Sequence, residues 1–134
     1  RYINQKQIYV FVITNQSGVA RGYYEEEDVK QLHQWMNEEL AKYDAHIDDF
    51  FYCPHYEKGN VEKYAISCNC RKPKTGLIEQ AFSKYEDVDR QNSIMIGDKL
   101  SDVECAETAG LRGIHYKGEA LLNLVRVELE KKNS

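Results

Sequence analysis

Apolar residues occur along the chain in short continuous runs that alternate with longer amphipathic stretches. Residues 8–14 (IYVFVIT) form a continuous run of β-branched and aromatic residues, which is typical of a strand buried on both faces. Residues 93–97 are predicted to form a short buried strand, and residues 47–53 and 113–116 two further short strands. The pattern therefore predicts four strands.

The stretches between these strands carry apolar residues at helical spacing. Residues 25–43 repeat apolar side chains every three or four positions and begin with an acidic turn, as the start of a helix prefers. Further helices are predicted over residues 76–85, 101–110 and 119–132. The second of these is expected to end at Gly110, because glycine is common just beyond a helix C-terminus.

Strands that alternate with helices predict an α/β fold, in which a Rossmann-like parallel sheet carries helices on both faces. We expect residues 1–134 to form a single domain of this kind, with residues 1–7 as the end of a helix that leads into the first strand. Ligands of such sheets bind beyond the carboxyl ends of the strands. The residues that directly follow strands are therefore the candidates for function.

Composition and charge exclude several classes of partner. The net charge of −4 argues against binding to nucleic acid or to an anionic membrane, since both usually need a basic face. No apolar run approaches the roughly 18 residues of a membrane span. Cys68 and Cys70 are too close to bridge each other, and Cys105 lies in a helical pattern, so we interpret the four cysteines as reduced. These features predict a cytoplasmic protein, which we expect to be a monomer.

Three of the cysteines and one histidine form a candidate metal site. Cys53 and His55 make a C-x-H pair, and Cys68 and Cys70 make a C-x-C pair 12 residues later. Two close pairs separated by a loop can bind one tetrahedral ion, and thiolate and imidazole are the ligands that zinc favours. Four protein ligands leave no open position, so loop 53–70 is predicted to hold a structural Zn²⁺. Three unrelated cysteines beside a turn histidine are the alternative, which the close clustering disfavours.

Two further stretches have the chemistry of a phosphate site. Residues 14–18 (TNQSG) directly follow the first strand, and their hydroxyl, amide and loop N–H groups suit an anion, although the same residues also suit an ordinary turn. Residues 71–74 (RKPK) supply three cations that could bind phosphate or form a solvated basic patch.

The third strand ends in the sequence IGDKLSD, residues 96–102. Asp98 and Asp102 lie one helical turn apart at a strand-to-helix junction, with Lys99 beside Asp98. Carboxylates in this position suit Mg²⁺, which prefers hard oxygen ligands and often shares its shell with phosphate. Helix capping by either aspartate is the alternative explanation, and whether Asp102 contacts a metal or only caps the helix stays open.

Together, VITNQSG, CRKP and IGDKLSD resemble the second, third and fourth motifs of the haloacid dehalogenase superfamily of phosphatases. The resemblance covers about residues 8–116, and the C-x-H…C-x-C loop is similar to that of the branch acting on heptose bisphosphates and histidinol phosphate. TNQSGVARG, the long zinc loop and GDK are more similar to the heptose bisphosphate enzymes. The resemblance implies Mg²⁺-dependent hydrolysis of a phosphorylated sugar, the 7-phosphate of D-glycero-D-manno-heptose 1,7-bisphosphate, with histidinol phosphate as the alternative substrate.

The resemblance also implies a role for each matching residue. Thr14 would stabilise the transferring phosphoryl group and Lys72 would neutralise charge on its oxygens. Asp98 would bind Mg²⁺, while Cys53, His55, Cys68 and Cys70 would bind Zn²⁺. The implied substrate-binding residues are Asn15, Gln16, Ser17, Arg71 and Lys99.

The first motif of this superfamily, a strand that ends in D-x-D-G-T and supplies the nucleophilic aspartate, has no match in the sequence. We expect it to lie upstream, on a strand placed between those at 8–14 and 93–97, and to form the aspartyl phosphate of the reaction. By this expectation the central strand is absent from the chain, and residues 1–134 alone are inactive and fold poorly.

Two other classes of function stay open. A zinc-stabilised binding module that never was an enzyme would show a conspicuous apolar or basic binding face, and none is evident in the sequence. A nucleic-acid-binding zinc domain would interleave basic and aromatic residues around the cysteines. Residues 56–66 (YEKGNVEKYAI) contain aromatic residues, but two glutamates balance two lysines there.

Overall fold

The computed structural model describes residues 1–132, and the side chains of residues 1–130. Four strands and six helices follow one another in the order α1 Tyr2–Gln5, β1 Phe11–Asn15, α2 Gly18–Arg21, α3 Glu26–Ala41, β2 Asp49–Cys53, α4 Gly76–Lys84, β3 Ile94–Gly97, α5 Leu100–Thr108, β4 Arg112–His115 and α6 Leu121–Lys132. Short 3-10 turns cover Glu62–Tyr64 and Arg90–Asn92. The predicted α/β architecture is confirmed.

Element boundaries differ from the predicted ones by a few residues. The first strand begins at Phe11 rather than at residue 8, and the helix predicted over 25–43 ends at Ala41. The helix before Gly110 ends as expected, since Gly110 adopts a φ of +84°, the left-handed conformation that glycine tolerates best. The sequence pattern did not predict α2, because four residues are too few to show a helical period.

The strands form two parallel pairs, β1 with β2 and β3 with β4. Asp48 N donates to Val10 O at 2.8 Å and Gln16 N donates to Cys53 O at 2.8 Å. Backbone groups of alternate residues in a strand point to opposite sides, so those of Phe11, Ile13 and Asn15 point away from β2. The described chain contains no strand on that side of β1.

The first and third strands are half-buried along their whole length. The expectation that both are buried was therefore wrong. The physical reason is that β1 pairs only with β2 and β3 only with β4, so one long edge of each strand lacks a neighbouring strand in residues 1–132.

Helices cover both faces of β2, as predicted. Phe50 stacks on His33 of α3 with ring centroids 4.1 Å apart, whereas the next residue, Phe51, is buried against Leu77 of α4. Successive side chains of a strand point to opposite faces, so α3 and α4 lie on opposite sides. No helix in the described residues is long and apolar enough to cross a bilayer.

Helix α4 joins the two halves of the core. Leu77 packs in a buried cluster with Phe51 and Cys53, while Ile78 packs in a second cluster with Cys105 of α5. Leu77 and Ile78 are 1% and 3% exposed, and burying such a side chain stabilises the fold by about 1.5–3 kcal/mol. This packing fixes both ends of loop 53–70, the candidate metal loop, because Cys53 and Cys70 belong to the first cluster.

Candidate active site and metal centre

The four candidate zinc ligands converge at the carboxyl end of β2. The ligand atoms of Cys53, His55, Cys68 and Cys70 all lie within 4.8 Å of one another. Cys53 Sγ is 3.4 Å from Cys68 Sγ, and His55 Nδ1 is 3.3 Å from Cys70 Sγ. Four ligands at about 2.0–2.3 Å from a tetrahedral zinc lie about 3.3–3.8 Å apart, so the observed set has the size of a zinc site.

The protonation chemistry of the thiols also fits a cation. Burial raises the pKa of Cys53 and of Cys70 above the ordinary thiol value. For Cys68, burial acts in the same direction, but hydrogen bonds from the backbone at Cys70 and from the Cys53 thiol lower its pKa to about 7. Three clustered thiols become thiolates together only when a positive ion offsets their mutual repulsion.

The loop between the two ligand pairs is anchored on α2. Val61 N donates to Ala20 O at 2.8 Å, and Asn60 Nδ2 donates to Arg21 O at 3.2 Å. Gly59 lies so close to the Ala20 backbone that a Cβ there would overlap it. The metal loop and the segment after β1 therefore form one packed unit.

Glu26 ties the same loop to α3. Its carboxylate accepts hydrogen bonds from the hydroxyls of Tyr64 at 2.5 Å and Tyr52 at 2.8 Å. These two donors, Tyr64 first, lower the pKa of Glu26 below its ordinary value. Burial and the hydrogen bond to Glu26 raise the pKa of Tyr52 to about 12.

Lys72 connects β1 of the first strand pair with α5, the helix that follows β3 of the second pair. Its backbone N–H donates to Asn15 Oδ1 at 3.0 Å, and its ammonium donates to Ile13 O at 3.2 Å. The same Nζ lies 2.7 Å from Asp102 Oδ1 of α5. The Lys72 side chain is only 14% exposed, and partners on both β1 and α5 set its position.

The two aspartates of the GDKLSD segment have different environments. Asp102 is buried, accepts a hydrogen bond from the backbone N–H of Lys99 at 3.2 Å, and pairs with Lys72. Gly97 allows this arrangement, since a Cβ there would overlap the Asp102 side chain. Asp98 is exposed, and its carboxylate makes no hydrogen bond or ion pair within residues 1–130.

The remaining predicted residues lie around this centre with distinct contacts. Thr14 is half-buried near the end of β1, and Ser17 is the N-cap residue directly before α2. Gln16 accepts a hydrogen bond from the Tyr24 hydroxyl at 2.6 Å. Arg71 donates to His55 O at 3.5 Å, and Lys99 is exposed just after β3.

Three residues near the site were not singled out from the sequence, namely Arg21, Tyr24 and Tyr56. Tyr24 contacts Gln16, while Tyr56 lies under the guanidinium groups of both Arg21 and Arg71. In the sequence analysis, the aromatic residues of segment 56–66 served only as a test for nucleic-acid binding. No sequence pattern pointed to the contact between Arg21 and Tyr56, because the two residues belong to different segments of the chain.

Several known proteins are similar to this chain in sequence. A profile of the HAD-hydrolase-like family matches residues 69–121. The D-glycero-beta-D-manno-heptose-1,7-bisphosphate 7-phosphatase of Rhodopseudomonas palustris is 43% identical over 134 residues, which cover 98% of this chain and 74% of that enzyme. The chain belongs to the haloacid dehalogenase-like phosphatase family.

Two solved structures confirm the fold of this haloacid dehalogenase-like chain. A HAD-like phosphatase from Mesorhizobium loti superposes with a TM-score of 0.84 at 31% identity, covering 96% of this chain and 69% of that one. The D,D-heptose 1,7-bisphosphate phosphatase from B. bronchiseptica, solved with magnesium and phosphate, gives a TM-score of 0.72 at 32% identity, covering 84% of this chain and 58% of that one. This chain spans only 55% and 61% of the lengths of two other similar heptose-1,7-bisphosphate 7-phosphatases.

Proposed function

We propose that the protein containing this chain is a Mg²⁺-dependent phosphatase that removes the 7-phosphate of D-glycero-D-manno-heptose 1,7-bisphosphate. The observation that carries the proposal is the fixed position of Lys72 between Asn15, Ile13 and Asp102 at the carboxyl ends of the strands. Phosphoryl transfer is catalysed mainly by positioning and charge stabilisation, for which a fixed cation is well suited. The names of the similar proteins supply the substrate.

The roles follow from the contacts. Lys72 would neutralise negative charge on the phosphoryl oxygens, and the Thr14 hydroxyl would donate a hydrogen bond to one of them. Gln16 and Ser17 would shape the substrate loop together with Asn15, whose side-chain Oδ1 already accepts a hydrogen bond from the Lys72 backbone N–H. Arg71 would bind the substrate away from the reacting phosphate, and exposed Lys99 would line the entrance.

Asp98 fits a magnesium ligand better than Asp102 does. The Asp98 carboxylate is exposed and free of partners in the described chain, whereas Asp102 is buried against Lys72. One carboxylate is compatible with Mg²⁺, which is usually bound by one or two carboxylates together with water and substrate phosphate. When bound, the ion would offset negative charge on the phosphoryl oxygens.

The cysteine cluster would bind one structural Zn²⁺. Its four ligand atoms leave no open position for substrate, so its proposed role is to rigidify loop 53–70. Arg71 and Lys72 follow Cys70 directly. The ion would thereby fix the direction of both cations.

We further propose that the nucleophilic aspartate lies on a strand between β1 and β3 and forms the aspartyl phosphate. The absence of a strand neighbour at these edges in residues 1–132 supports that position. Because strand carboxyl ends meet at one edge of a parallel sheet, such an aspartate would lie near Thr14 and Asp98. A single domain, a monomeric state and a cytoplasmic location stay predictions.

Steady-state phosphate release from the complete protein tests the substrate. We expect kcat/KM for the heptose bisphosphate to exceed that for histidinol phosphate by at least about tenfold, which corresponds to about 1.4 kcal/mol. The reverse preference would assign the chain to the histidinol-phosphate branch. No Mg²⁺-dependent release from either substrate would favour a non-catalytic binding module.

A further inference from the structure

The end of β4 holds the backbone segment that carries Asp98. Gly97, the last residue of β3, is paired in register with His115, the last residue of β4. The Gly97 carbonyl oxygen accepts a hydrogen bond from the Tyr116 backbone N–H at 2.7 Å. The next carbonyl oxygen, that of Asp98, lies 3.1 Å from Nε2 of His115. Two successive carbonyl groups after β3 are therefore bonded to the end of β4.

The contact between His115 and Asp98 has a defined donor. A carbonyl oxygen can only accept a hydrogen bond, so Nε2 of His115 carries the hydrogen. His115 is half-buried. Among residues 1–130, no other side chain bonds to the Asp98 backbone. The imidazole is thus the one side chain of the described residues that holds Asp98 in place.

The residue after Asp98 is held by α5 instead. The Lys99 backbone N–H donates to Asp102 Oδ2 at 3.2 Å, and the Asp102 backbone N–H donates to Lys99 O at 3.0 Å. Asp98 therefore lies between a residue bonded to the end of β4 and a residue bonded to α5. Its exposed carboxylate has no partner of its own in the described chain, so the position of that carboxylate depends on how its backbone is held.

Magnesium places strict demands on the position of a ligand. The ion requires near-ideal octahedral geometry with oxygen atoms at about 2.0–2.1 Å, so a small displacement of one carboxylate weakens binding. Groups that orient metal ligands from outside the coordination sphere accordingly contribute to metal affinity. A hydrogen bond that fixes the backbone of Asp98 is such a contribution.

We propose that His115 is a positioning residue for Asp98 in Mg²⁺ binding. This inference rests on the proposed function, in which Asp98 binds Mg²⁺, and it adds a residue from β4 that lies outside the GDKLSD segment. The role of the imidazole is to hold the Asp98 backbone through Nε2–H, and the Asp98 carboxylate remains the group that binds the ion.

A purely structural role for His115 makes a different prediction. If its hydrogen bond only joins the ends of β3 and β4, losing the bond would lower Tm and leave the metal affinity unchanged. Asparagine and glutamine at this position separate the two roles. The amide nitrogen of glutamine reaches about as far from the backbone as Nε2 of histidine, whereas that of asparagine is one bond shorter.

The test is Mn²⁺ binding to the complete protein without substrate, followed by the EPR signal of the free ion, since Mn²⁺ suits the same oxygen ligands as Mg²⁺. His115→Asn is expected to raise the Kd for Mn²⁺ at least about fivefold. This is below the roughly 10- to 100-fold effect of groups that bond to a ligating side chain itself, because the contact is with the backbone. His115→Gln should stay within about twofold of the wild type, because it keeps a donor at the same reach.

His46→Asn is the matched control. The His46 ring also bonds to another residue, Asp48, at 3.0 Å, but it precedes β2 and so lies at the amino end of the strands. This variant should leave the Kd for Mn²⁺ unchanged. Thermal unfolding of all three variants shows whether a loss of stability accompanies a change in metal affinity.

Steady-state kinetics gives a second readout. The Mg²⁺ concentration that gives half-maximal phosphate release should rise by the same factor in His115→Asn, while kcat at saturating Mg²⁺ changes less than about twofold. Unchanged Mn²⁺ affinity in His115→Asn, equal losses in His115→Asn and His115→Gln, or no Mn²⁺ binding by the wild type would overturn the proposal. If the wild type binds Mn²⁺ but hydrolyses neither the heptose bisphosphate nor histidinol phosphate, the proposed function fails, and the Mn²⁺ affinities alone decide on His115.

Discussion

Replacing Asp102 by asparagine should destabilise the protein through the charge that it leaves on Lys72. Asp102 Oδ1 and Lys72 Nζ are 2.7 Å apart, and their side chains are 7% and 14% exposed. Lys72 Nζ and Asp102 Oδ1 form an ion pair, but their geometry is not that of a hydrogen bond. Asp102 Oδ1 has no other partner in the described structure. Asp102→Asn keeps the shape and the hydrogen bond from Lys99 N–H but removes the negative charge.

The expected loss follows from burial. Removing one partner of a buried ion pair costs about 3–5 kcal/mol, whereas an exposed pair contributes about 0–1 kcal/mol. We expect about 3 kcal/mol, the lower end of the buried range, because the asparagine carbonyl can still accept from Lys99 N–H. With a urea m-value of about 2 kcal/mol/M, the midpoint should fall by about 1.5 M.

Urea unfolding of the complete protein measures this loss, with Asp98→Asn as the matched control. Asp98 lies in the same segment but is exposed and unpaired in the described residues, so its replacement should change the unfolding free energy by less than about 0.5 kcal/mol. A double-mutant cycle with Lys72→Met should give a coupling of about 1.5–3 kcal/mol. Equal stability of Asp102→Asn and Asp98→Asn, together with no coupling, would refute the reasoning.

Three further predictions concern the metal, the basic pair and acid stability. The protein purified without added zinc should contain one zinc per chain. The Cys68→Ala variant should lose the ion and have a lower Tm than the wild type. Metal analysis that shows no zinc, or a disulfide at Cys68, would contradict this. Arg71→Ala should raise KM while Lys72→Ala lowers kcat, and equal losses of kcat would reject that division of roles. Glu26 has a pKa below its ordinary value of 4.5, so its stabilisation is present above that value and is lost as the pH falls through the folded-state pKa. Unfolding at pH 7 and pH 3 should therefore show that Glu26→Gln costs about 1–2 kcal/mol at pH 7 and less at pH 3, and that Glu27→Gln costs little at either pH.

The sequence was most informative where a pattern is local. The apolar run of β1 and the C-x-H and C-x-C pairs are each contained within a few residues, and the structure brings the four ligand atoms together. The zinc-binding role itself stays a prediction. The GDKLSD spacing left two roles open for Asp102, and the structure shows a hydrogen bond from Lys99 N–H together with an ion pair to Lys72.

Contacts between distant segments could not be predicted. Lys72 and Asn15 are 57 positions apart, and no periodicity links them. The burial of β1 was overestimated because an apolar run indicates that a strand is suited to the interior, while actual burial depends on the neighbouring strands. The contacts of Tyr56 with Arg21 and Arg71 were also not predicted, because only the folded loop brings the three side chains together.

The central claim is tested most directly by ³¹P NMR of the products that the complete protein forms from D-glycero-D-manno-heptose 1,7-bisphosphate with and without added Mg²⁺. The account predicts Mg²⁺-dependent loss of the C7 phosphomonoester signal, appearance of inorganic phosphate, and retention of the anomeric 1-phosphate. Release of the 1-phosphate, or a rate that does not depend on Mg²⁺, would contradict it.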